Sequence, residues 1–369
     1  MIYFDNASTS MLLPEVKQFI VDNLDVYGNP SSLHSKGYEA KEMLENARKT
    51  IAECINANPE HIFFTSGGTE SNTQALNVCR GGNIAISSME HPSVFNNAHG
   101  LYTCVHQIKP NCNGIITPDH FEKTLVRRTN IVSTMLVNNE IGTIMPIKEI
   151  TEIAHKNKCI VHTDAVQAVG HIPVDVNDLG VDMLSASGHK FGAPRGIGFL
   201  YCNTDSNFSL YKLLHGGGQE RGYRSGTENV IGAAAMALAL KNSVDSIRKN
   251  MLHISEMRFK LLEELSRMGD DVRFNGSLTG VSGIINVSFK NISGEEIQAM
   301  LDDRDIAVST GSACHSGIKT PSSTLVSIGV PDEFLFGTVR ISLSHMNTMD
   351  EVDKFITNLK EVIEILKRY

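Results

Sequence analysis

The stretch CIVHTDAVQAVG, residues 159–170, decides the fold class predicted for this chain. It opens with a short apolar run that does not alternate with polar residues, which is typical of a strand buried on both faces. Similar runs recur along the chain, with helical patterns between several of them, at residues 61–64, 83–87, 131–137, 183–185 and 197–202. This alternation predicts an α/β fold with a mostly parallel sheet.

A long helical pattern over residues 230–268 separates this region from the rest of the chain. Strand and helix patterns resume after it and end in a helix that begins with a capping box, Thr348 and Glu351. A chain of 369 residues is long enough for one large and one small domain. We predict a large domain over residues 13–249 and a small α+β domain formed by residues 1–12 and 250–369.

Composition narrows the class of protein. The chain carries 33 Lys and Arg against 41 Asp and Glu, a net charge of −8, which argues against a nucleic-acid-binding surface. Its seven cysteines form no C-x-x-C pair and no zinc-site spacing, and this usage fits a reducing cytosol. The sequence shows neither a signal peptide nor a membrane-spanning stretch. We expect a cytoplasmic protein that binds neither nucleic acid nor a membrane and has no resident metal.

Polar groups follow three of the apolar runs. The turn after residues 61–64 contains Gly68 and Thr69 before a helix start, so its backbone N–H groups could bind a phosphate. Asp164 could face a cationic group beyond the end of its strand, and Lys190 could be a Schiff-base lysine. Taken singly, these features fit a plain turn, a helix N-cap and a surface lysine. Together they are the parts that pyridoxal phosphate needs.

Three further segments carry candidate groups. The loop HGGGQERGYRSGTENV, residues 215–230, is either a mobile surface loop or reaches a phosphate with Arg224 and Thr227, across a dimer interface. SMEHPSV offers His91, which is either structural or able to stack on a cofactor ring. STGSACHSG places Cys314 in a run with few packing groups, where the plain interpretation is a spare loop thiol.

In this order, and nearly end to end, these stretches resemble the NifS/IscS-type cysteine desulfurases of the class V aminotransferase-like group. The resemblance implies a pyridoxal-phosphate enzyme of fold type I, with a seven-stranded, mostly parallel sheet in its large domain. It also implies the conversion of L-cysteine to L-alanine. The matching stretches are FDNAST, YGNPSSLHSKG, FTSGGTESN, MEHPSV, VNNEIGTIMPI, HTDAVQAVG, SASGHK, HGGGQERGYRSGTENV, STGSACHSG and RISL.

The resemblance implies a role for each residue of a cofactor site. Lys190 would hold pyridoxal phosphate as a Schiff base, and Asp164 would pair with its pyridinium nitrogen. Gln167 would bond the ring 3-oxygen, while His91 would stack on the ring and move protons. The phosphate ligands would be Gly68, Thr69, Ser187 and His189, with Thr227 donated by the partner subunit of a homodimer.

The resemblance also implies how substrate and sulfur are handled. Asn139, which would lie beside the cofactor, and Arg340 would bind the substrate carboxylate. Lys190 would take the α-proton, and the Cys314 thiolate would attack the substrate sulfur and keep it as a persulfide. Cys314 would then deliver the sulfur to an acceptor protein, either an iron–sulfur scaffold or a tRNA-thiolating enzyme, and would make only a transient contact with a cluster. A run with few packing groups can make that movement.

Three other functions fit parts of the same pattern. A selenocysteine lyase would use the same fold on selenocysteine, and a class V aminotransferase would not need Cys314. A non-catalytic sulfur-relay subunit would keep the fold but not the turnover. The chain departs from the usual family pattern at Ala193 and Arg195, in KFGAPRGIG, and at His315 beside the thiol.

Overall fold

The computed structural model describes residues 1–206, 208–310 and 320–368, so Cys314 and His315 lie outside the described residues. The described strands are β1 (Ile2–Tyr3), β2 (Ile62–Thr65), β3 (Asn83–Ser87), β4 (Cys104–Ile108), β5 (Ile131–Ser133), β6 (Ile160–Asp164), β7 (Met183–Ser187), β8 (Gly198–Cys202), β9 (Val272–Phe274), β10 (Ile284–Phe289), β11 (Ile306–Ala307) and β12 (Thr338–Ser342).

A seven-stranded sheet forms the centre of the molecule, in the order β2-β8-β7-β6-β5-β3-β4. Strand β8 is antiparallel to both of its neighbours, and the other pairings are parallel. The residues of β2, β5, β7 and β8 are buried throughout, as the continuous apolar runs require. The predicted α/β class with a mostly parallel sheet is confirmed.

All six strands predicted from the apolar runs form, although their extents differ, and β4 completes the seven-stranded sheet that the resemblance implies. The run at residues 131–137 keeps strand geometry only over Ile131–Ser133. Strand β4 was not predicted, because its sequence CVHQI is short, mixed and mostly accessible. Among the described strands it pairs only with β3, at the edge of the sheet, where polar residues on a strand are tolerated.

Helices cover the sheet and connect its strands, as expected for parallel strands joined by crossovers. They are α1 (Pro14–Asp22), α2 (Ser35–Cys54), α3 (Gly68–Leu76), α4 (Pro92–Leu101), α5 (Pro118–Thr124), α6 (Ile147–Lys156), α7 (Val176–Leu179), α8 (Val230–Asp245), α9 (Ile247–Ser266), α10 (Gly294–Asp302), α11 (Ser323–Ser327), α12 (Asp332–Leu335) and α13 (Met349–Leu366).

The long helical pattern at residues 230–268 forms two helices, α8 and α9, which bend by 69° at Ser246. In the described part of the chain no single helix is long and apolar enough to cross a membrane. Only the two helices taken together, with the bend between them, have the length and apolar composition of a membrane span. Helix α8 is largely buried within the protein, where its alanines pack into the main core.

A second hydrophobic core lies around the antiparallel sheet β12-β10-β9. Its members come from residue 257 onward, apart from Phe4 at the other end of the chain, whose ring meets Phe355 edge-on at 5.4 Å. Strand β1 pairs in parallel with β11, so the first residues join the C-terminal part. The predicted capping box of α13 is confirmed by reciprocal Thr348–Glu351 bonds. The domain boundaries at residues 13 and 249 stay a prediction.

Candidate active site

A cleft of about 370 Å³ opens where β6 and β7 end, within the roughly 300–1,000 Å³ of small-molecule sites. Ligands of open parallel sheets bind at this edge. Ten of the twelve sequence-predicted site residues line the cleft, namely Gly68, Thr69, His91, Asn139, Asp164, Gln167, Ser187, His189, Lys190 and Arg340. Thr227 is exposed and does not line it, and Cys314 lies outside the described residues.

Lys190 ends the short 3₁₀ turn that follows β7. Its Nζ donates hydrogen bonds to the backbone oxygens of Ala7 at 2.7 Å and Ser8 at 2.9 Å. Burial lowers the pKa of Lys190 to about 8, and the positive charge of Arg340 acts in the same direction. A sizeable fraction of the amine is therefore neutral near physiological pH, as a nucleophile or a base requires.

Asp164 is the last residue of β6 and is buried. One carboxylate oxygen accepts a hydrogen bond from the Asn72 side chain at 2.7 Å, and the other accepts one from the N–H of Val166 at 3.0 Å. The second bond closes the turn after the strand. The interpretation of Asp164 as a helix N-cap is wrong, because the next described helix, α7, begins only at Val176. Gln167 donates to the Ala7 carbonyl at 2.8 Å, which ties this turn to the N-terminal segment.

Asn72 was missed as a site residue by the sequence reasoning. It lies on α3 and donates to Ser93 Oγ at 2.9 Å as well as to Asp164. Its position as the last letter of FTSGGTESN was visible, but nothing in a single sequence connects it to an aspartate 92 residues later. The amide fixes the direction of the Asp164 carboxylate within the cleft.

His91 is the N-cap of α4 and is exposed to the cleft. Its Nδ1 accepts a hydrogen bond from the N–H of Ser93 at 3.1 Å and lies 2.7 Å from Ser93 Oγ. Partial desolvation lowers the pKa of His91, against the opposing charge of Asp164. An accepting Nδ1 leaves the proton of the neutral ring on Nε2, which suits proton transfer at the free edge of the ring.

The turn between β2 and α3 has the geometry of an anion site. Gly67 adopts φ +151°, and a Cβ at Gly68 would lie 2.8 Å from a methyl group of Val166, so both positions favour glycine. The N–H groups at the start of a helix have no intrahelical acceptor and attract anions. His189 adjoins this turn and bonds Thr9 through Nδ1 at 3.1 Å, and burial lowers its pKa to about 4.

Arg340 comes from β12 and is buried at the opposite side of the cleft. Its guanidinium donates to the Asn139 carbonyl at 2.9 Å, to a carboxylate oxygen of Asp5 at 2.9 Å and to Ser8 Oγ at 2.6 Å. Sequence reasoning missed Asp5 as a partner, because the two residues are 335 positions apart. The guanidinium is therefore held beside Asn139 by partners of its own chain.

Glu140 follows Asn139 and was also missed. Its carboxylate accepts hydrogen bonds from the hydroxyls of Ser322 and Thr324, at the start of α11. Burial raises the pKa of Glu140, although these hydroxyls act against the shift. These bonds fix the start of α11 to the turn that carries Asn139.

The loop at residues 215–230 does not line the cleft but contacts α3, the helix that follows the candidate anion-binding turn. Arg224 forms an ion pair with Glu70 of α3, with Nε 2.8 Å from the carboxylate. Thr227 lies further along the same loop. In the described parts of the chain, no cluster of three or more His, Cys, Asp or Glu residues could hold a metal ion.

Comparisons with known proteins agree with this geometry. The family model "Aminotransferase class-V" matches residues 2–355. A relative from Methanosarcina thermophila named "Cysteine desulfurase IscS" is 38% identical, over 99% of this chain and 93% of its own length. A solved structure titled "NIFS-LIKE PROTEIN" is 34% identical with a TM-score of 0.91, covering 99% of this chain and 100% of its own. Another, titled "SspA in complex with cysteine", is 31% identical with a TM-score of 0.83, covering 94% of this chain and 100% of its own.

Proposed function

Because the chain belongs to the class-V aminotransferase family and, within it, to the NifS/IscS-type cysteine desulfurases, we propose that it transfers sulfur from L-cysteine to Cys314. The products are L-alanine and a persulfide on Cys314. The observation that carries the proposal is the single cleft that joins Lys190, Asp164, His91 and Arg340. A lysine, an acid, a proton carrier and a carboxylate-binding arginine are the groups this reaction needs.

The cleft fits pyridoxal phosphate, which supplies an electron sink for bonds at the substrate α-carbon when bound. Asp164 is buried with neutral hydrogen-bond donors, and Lys190 Nζ contacts backbone carbonyls. Neither forms an ion pair among the described residues. Buried charges are normally paired. A bound pyridinium would give Asp164 a charged partner, and the cofactor's aldehyde carbon would give the Lys190 amine a group to bond.

The remaining roles follow from the same geometry. Gln167 would contact the ring oxygen, and the turn at Gly68 and Thr69 would bind the phosphate together with Ser187 and His189. Arg340 and Asn139 would orient the substrate carboxylate, which a guanidinium can bind through two parallel hydrogen bonds. Lys190, with its pKa lowered to about 8, would accept the α-proton, and His91 would move protons at the cleft.

The sulfur step belongs to Cys314. Its thiolate would attack the substrate sulfur, so that a sulfur–sulfur bond forms as the carbon–sulfur bond breaks. The electron pair of the broken bond stays with the carbon fragment, which takes up a proton and leaves as alanine. L-cysteine and the thiol thus become L-alanine and a persulfide, with no external oxidant. The persulfide would pass its outer sulfur to an acceptor protein, an iron–sulfur scaffold or a tRNA-thiolating enzyme, with at most a transient contact between Cys314 and a cluster.

The working unit is proposed to be a homodimer in the cytoplasm. The segment between α1 and α2 exposes large apolar side chains, among them Tyr27 at 77% and Leu33 at 87%. Exposed apolar clusters mark interaction surfaces, and a second copy could cover this one. Such a partner would bring Thr227, exposed in the single chain, to the other subunit's phosphate turn. Cytoplasmic location is supported by the free thiols of the described cysteines.

The test compares wild type with Cys314→Ser in sulfide and alanine release from L-cysteine, with a reducing thiol present. Both proteins must first show the same absorbance from bound cofactor. We expect matched sulfide and alanine from wild type and neither from the variant. Equal activity in both proteins would reject Cys314 as sulfur carrier and leave a lyase or an aminotransferase. A parallel assay with selenocysteine separates a selenocysteine lyase.

A further inference from the structure

An acidic side chain lies in the first turn of α3, at the turn proposed to bind a phosphate. Glu70 shares an opening with Gly68, Thr69, Ser187 and His189. Its Oε2 accepts the N–H of Ser66 at 2.9 Å, within the turn itself. A free carboxylate at this position would repel a phosphate dianion, because like charges close together in a partly buried site oppose each other.

Arg224 removes this conflict. Its Nε lies 2.8 Å from Oε1 of Glu70, and its Nη2 lies 3.3 Å from Oε2, so the guanidinium meets both oxygens. The Glu70 side chain is only 12% exposed. Although burial opposes ionisation, the hydrogen bonds from Arg224 and Ser66 lower the pKa of Glu70. The pair is therefore fully charged at neutral pH, and its net charge beside the phosphate turn is zero.

The loop that carries Arg224 is fixed on the other side of the same turn. Glu220 forms a buried ion pair with Arg48 through two bonds of 2.8 Å, and also accepts the N–H of Phe64 at 2.9 Å. Glu220 and Arg221 adopt φ +47° and +55°, a strained conformation for residues other than glycine. Buried charge-assisted hydrogen bonds hold that conformation. The loop therefore bonds to the chain just before the turn, at Phe64, and just after it, at Glu70.

We propose that Arg224 is a positioning residue that makes the turn at residues 65–69 selective for a phosphate-bearing cofactor, by neutralising Glu70 from a loop anchored by Glu220 and Arg48. The proposal rests on the function proposed above, since the anion is the phosphate of pyridoxal phosphate. It assigns Arg224 no contact with the phosphate. Its effect is electrostatic and passes through Glu70.

The experiment uses the full-length protein reconstituted with pyridoxal phosphate or with pyridoxal, which lacks the phosphate. The dissociation constant of each compound is measured by absorbance for wild type, Arg224→Gln and Arg221→Gln. Arg221 is the matched control, because it lies on the same loop but contacts Glu60 and Pro59. We expect Arg224→Gln to raise the dissociation constant of pyridoxal phosphate on the order of tenfold. The dissociation constant of pyridoxal should stay nearly unchanged. Arg221→Gln should leave both constants near the wild-type values.

The double variant Glu70→Gln with Arg224→Gln decides whether charge is the cause. Because it removes the uncompensated carboxylate, it should regain most of the pyridoxal phosphate affinity lost in Arg224→Gln. Equal weakening of both compounds in Arg224→Gln, or a double variant as weak as the single one, would overturn the proposal. A wild type that binds no pyridoxal phosphate would instead reject the proposed function itself.

Discussion

Lys190 and Arg340 face the same cleft, but the chain holds these two cations in different ways. Lys190 contacts two backbone carbonyls, which carry no net charge. Arg340 contacts the carboxylate of Asp5. Among the described residues the lysine forms no ion pair, and its pKa falls to about 8, chiefly through burial, although the charges of Asp164 and Asp5 oppose the shift. The charge of Arg340 is already paired, so under the proposed function the guanidinium would have to exchange partners to bind a substrate carboxylate.

Both arrangements depend on the same short N-terminal segment. Ala7 and Ser8 supply the carbonyls at Lys190, while Asp5 and the Ser8 hydroxyl supply the partners of Arg340. Phe4, just before them, belongs to the second hydrophobic core. Under the proposed function, we expect the cofactor side of the cleft to be preset for proton transfer and the substrate side to be held by exchangeable contacts.

The largest effect is expected on the cofactor side. Lys190→Ala removes the base that we assign to the α-proton, and proton transfer by a positioned side chain contributes about 10²- to 10⁴-fold. Alanine formation from L-cysteine should fall by that factor. Lys148→Ala is the control, since its exposed pair with Asp178 lies outside the cleft. Near-normal alanine formation by Lys190→Ala would remove the lysine from the mechanism.

On the substrate side, Arg340→Lys should act mainly on binding. Lysine keeps the charge but loses the planar fork, so we expect KM for L-cysteine to rise about 10- to 100-fold while kcat changes much less. Steady-state kinetics separate the two constants. Arg304→Lys is a suitable control, because Arg304 bonds a carbonyl of its own helix region. A fall in kcat at unchanged KM would place Arg340 with the reacting groups.

The sequence predicts the residues around Lys190 much better than the partners of Arg340. Asp164 ends β6 and Lys190 closely follows β7, so local patterns were enough to place them at one edge of the sheet. The partners of Arg340 could not be found in this way. Asp5 and Arg340 meet because β1 and β12 belong to a core built from both ends of the chain, which no local period reveals.

The bend at Ser246 shows the same limit in the fold. The apolar pattern of residues 230–268 continues across it without a glycine or proline that would mark a break. Helix α8 packs in the main core and α9 in the second one, so the bend follows from tertiary packing. The roles of Asn72 and Glu140 depend equally on contacts made across the fold.

An effect of intermediate size is expected at Glu90, where the stability of the fold should depend on pH. Burial raises the pKa of Glu90 to about 8, although the N–H of Met135 acts against the shift. The folded protein therefore keeps this proton to a higher pH than the unfolded chain, in which glutamate has its ordinary pKa of 4.5. Stability contributed by this proton is present at low pH and is lost as pH rises through about 8.

Glu90→Gln should remove that dependence. Because glutamine stays neutral, the variant should exceed wild type in free energy of unfolding at pH 9, on the order of 2 kcal/mol, and differ little at pH 5. Urea titrations at the two pH values measure this difference. Glu39→Gln, on the exposed side of α2, provides the control. A variant that is equally destabilised at both pH values would show that Glu90 acts through its shape and bonds.

The smallest effect is expected at Asp5, where it tests whether the arginine contacts are exchangeable. In Asp5→Asn the guanidinium of Arg340 loses its charged partner but keeps the Ser8 hydroxyl and the Asn139 carbonyl. Because these two neutral partners still hold the guanidinium in place, KM for L-cysteine should fall only about two- to fivefold as competition from the Asp5 carboxylate is removed. Asp22→Asn, at the exposed end of α1, should leave KM unchanged. If KM rises instead, Asp5 orients the guanidinium more than it competes with the substrate, and both cations of the cleft would then be preset.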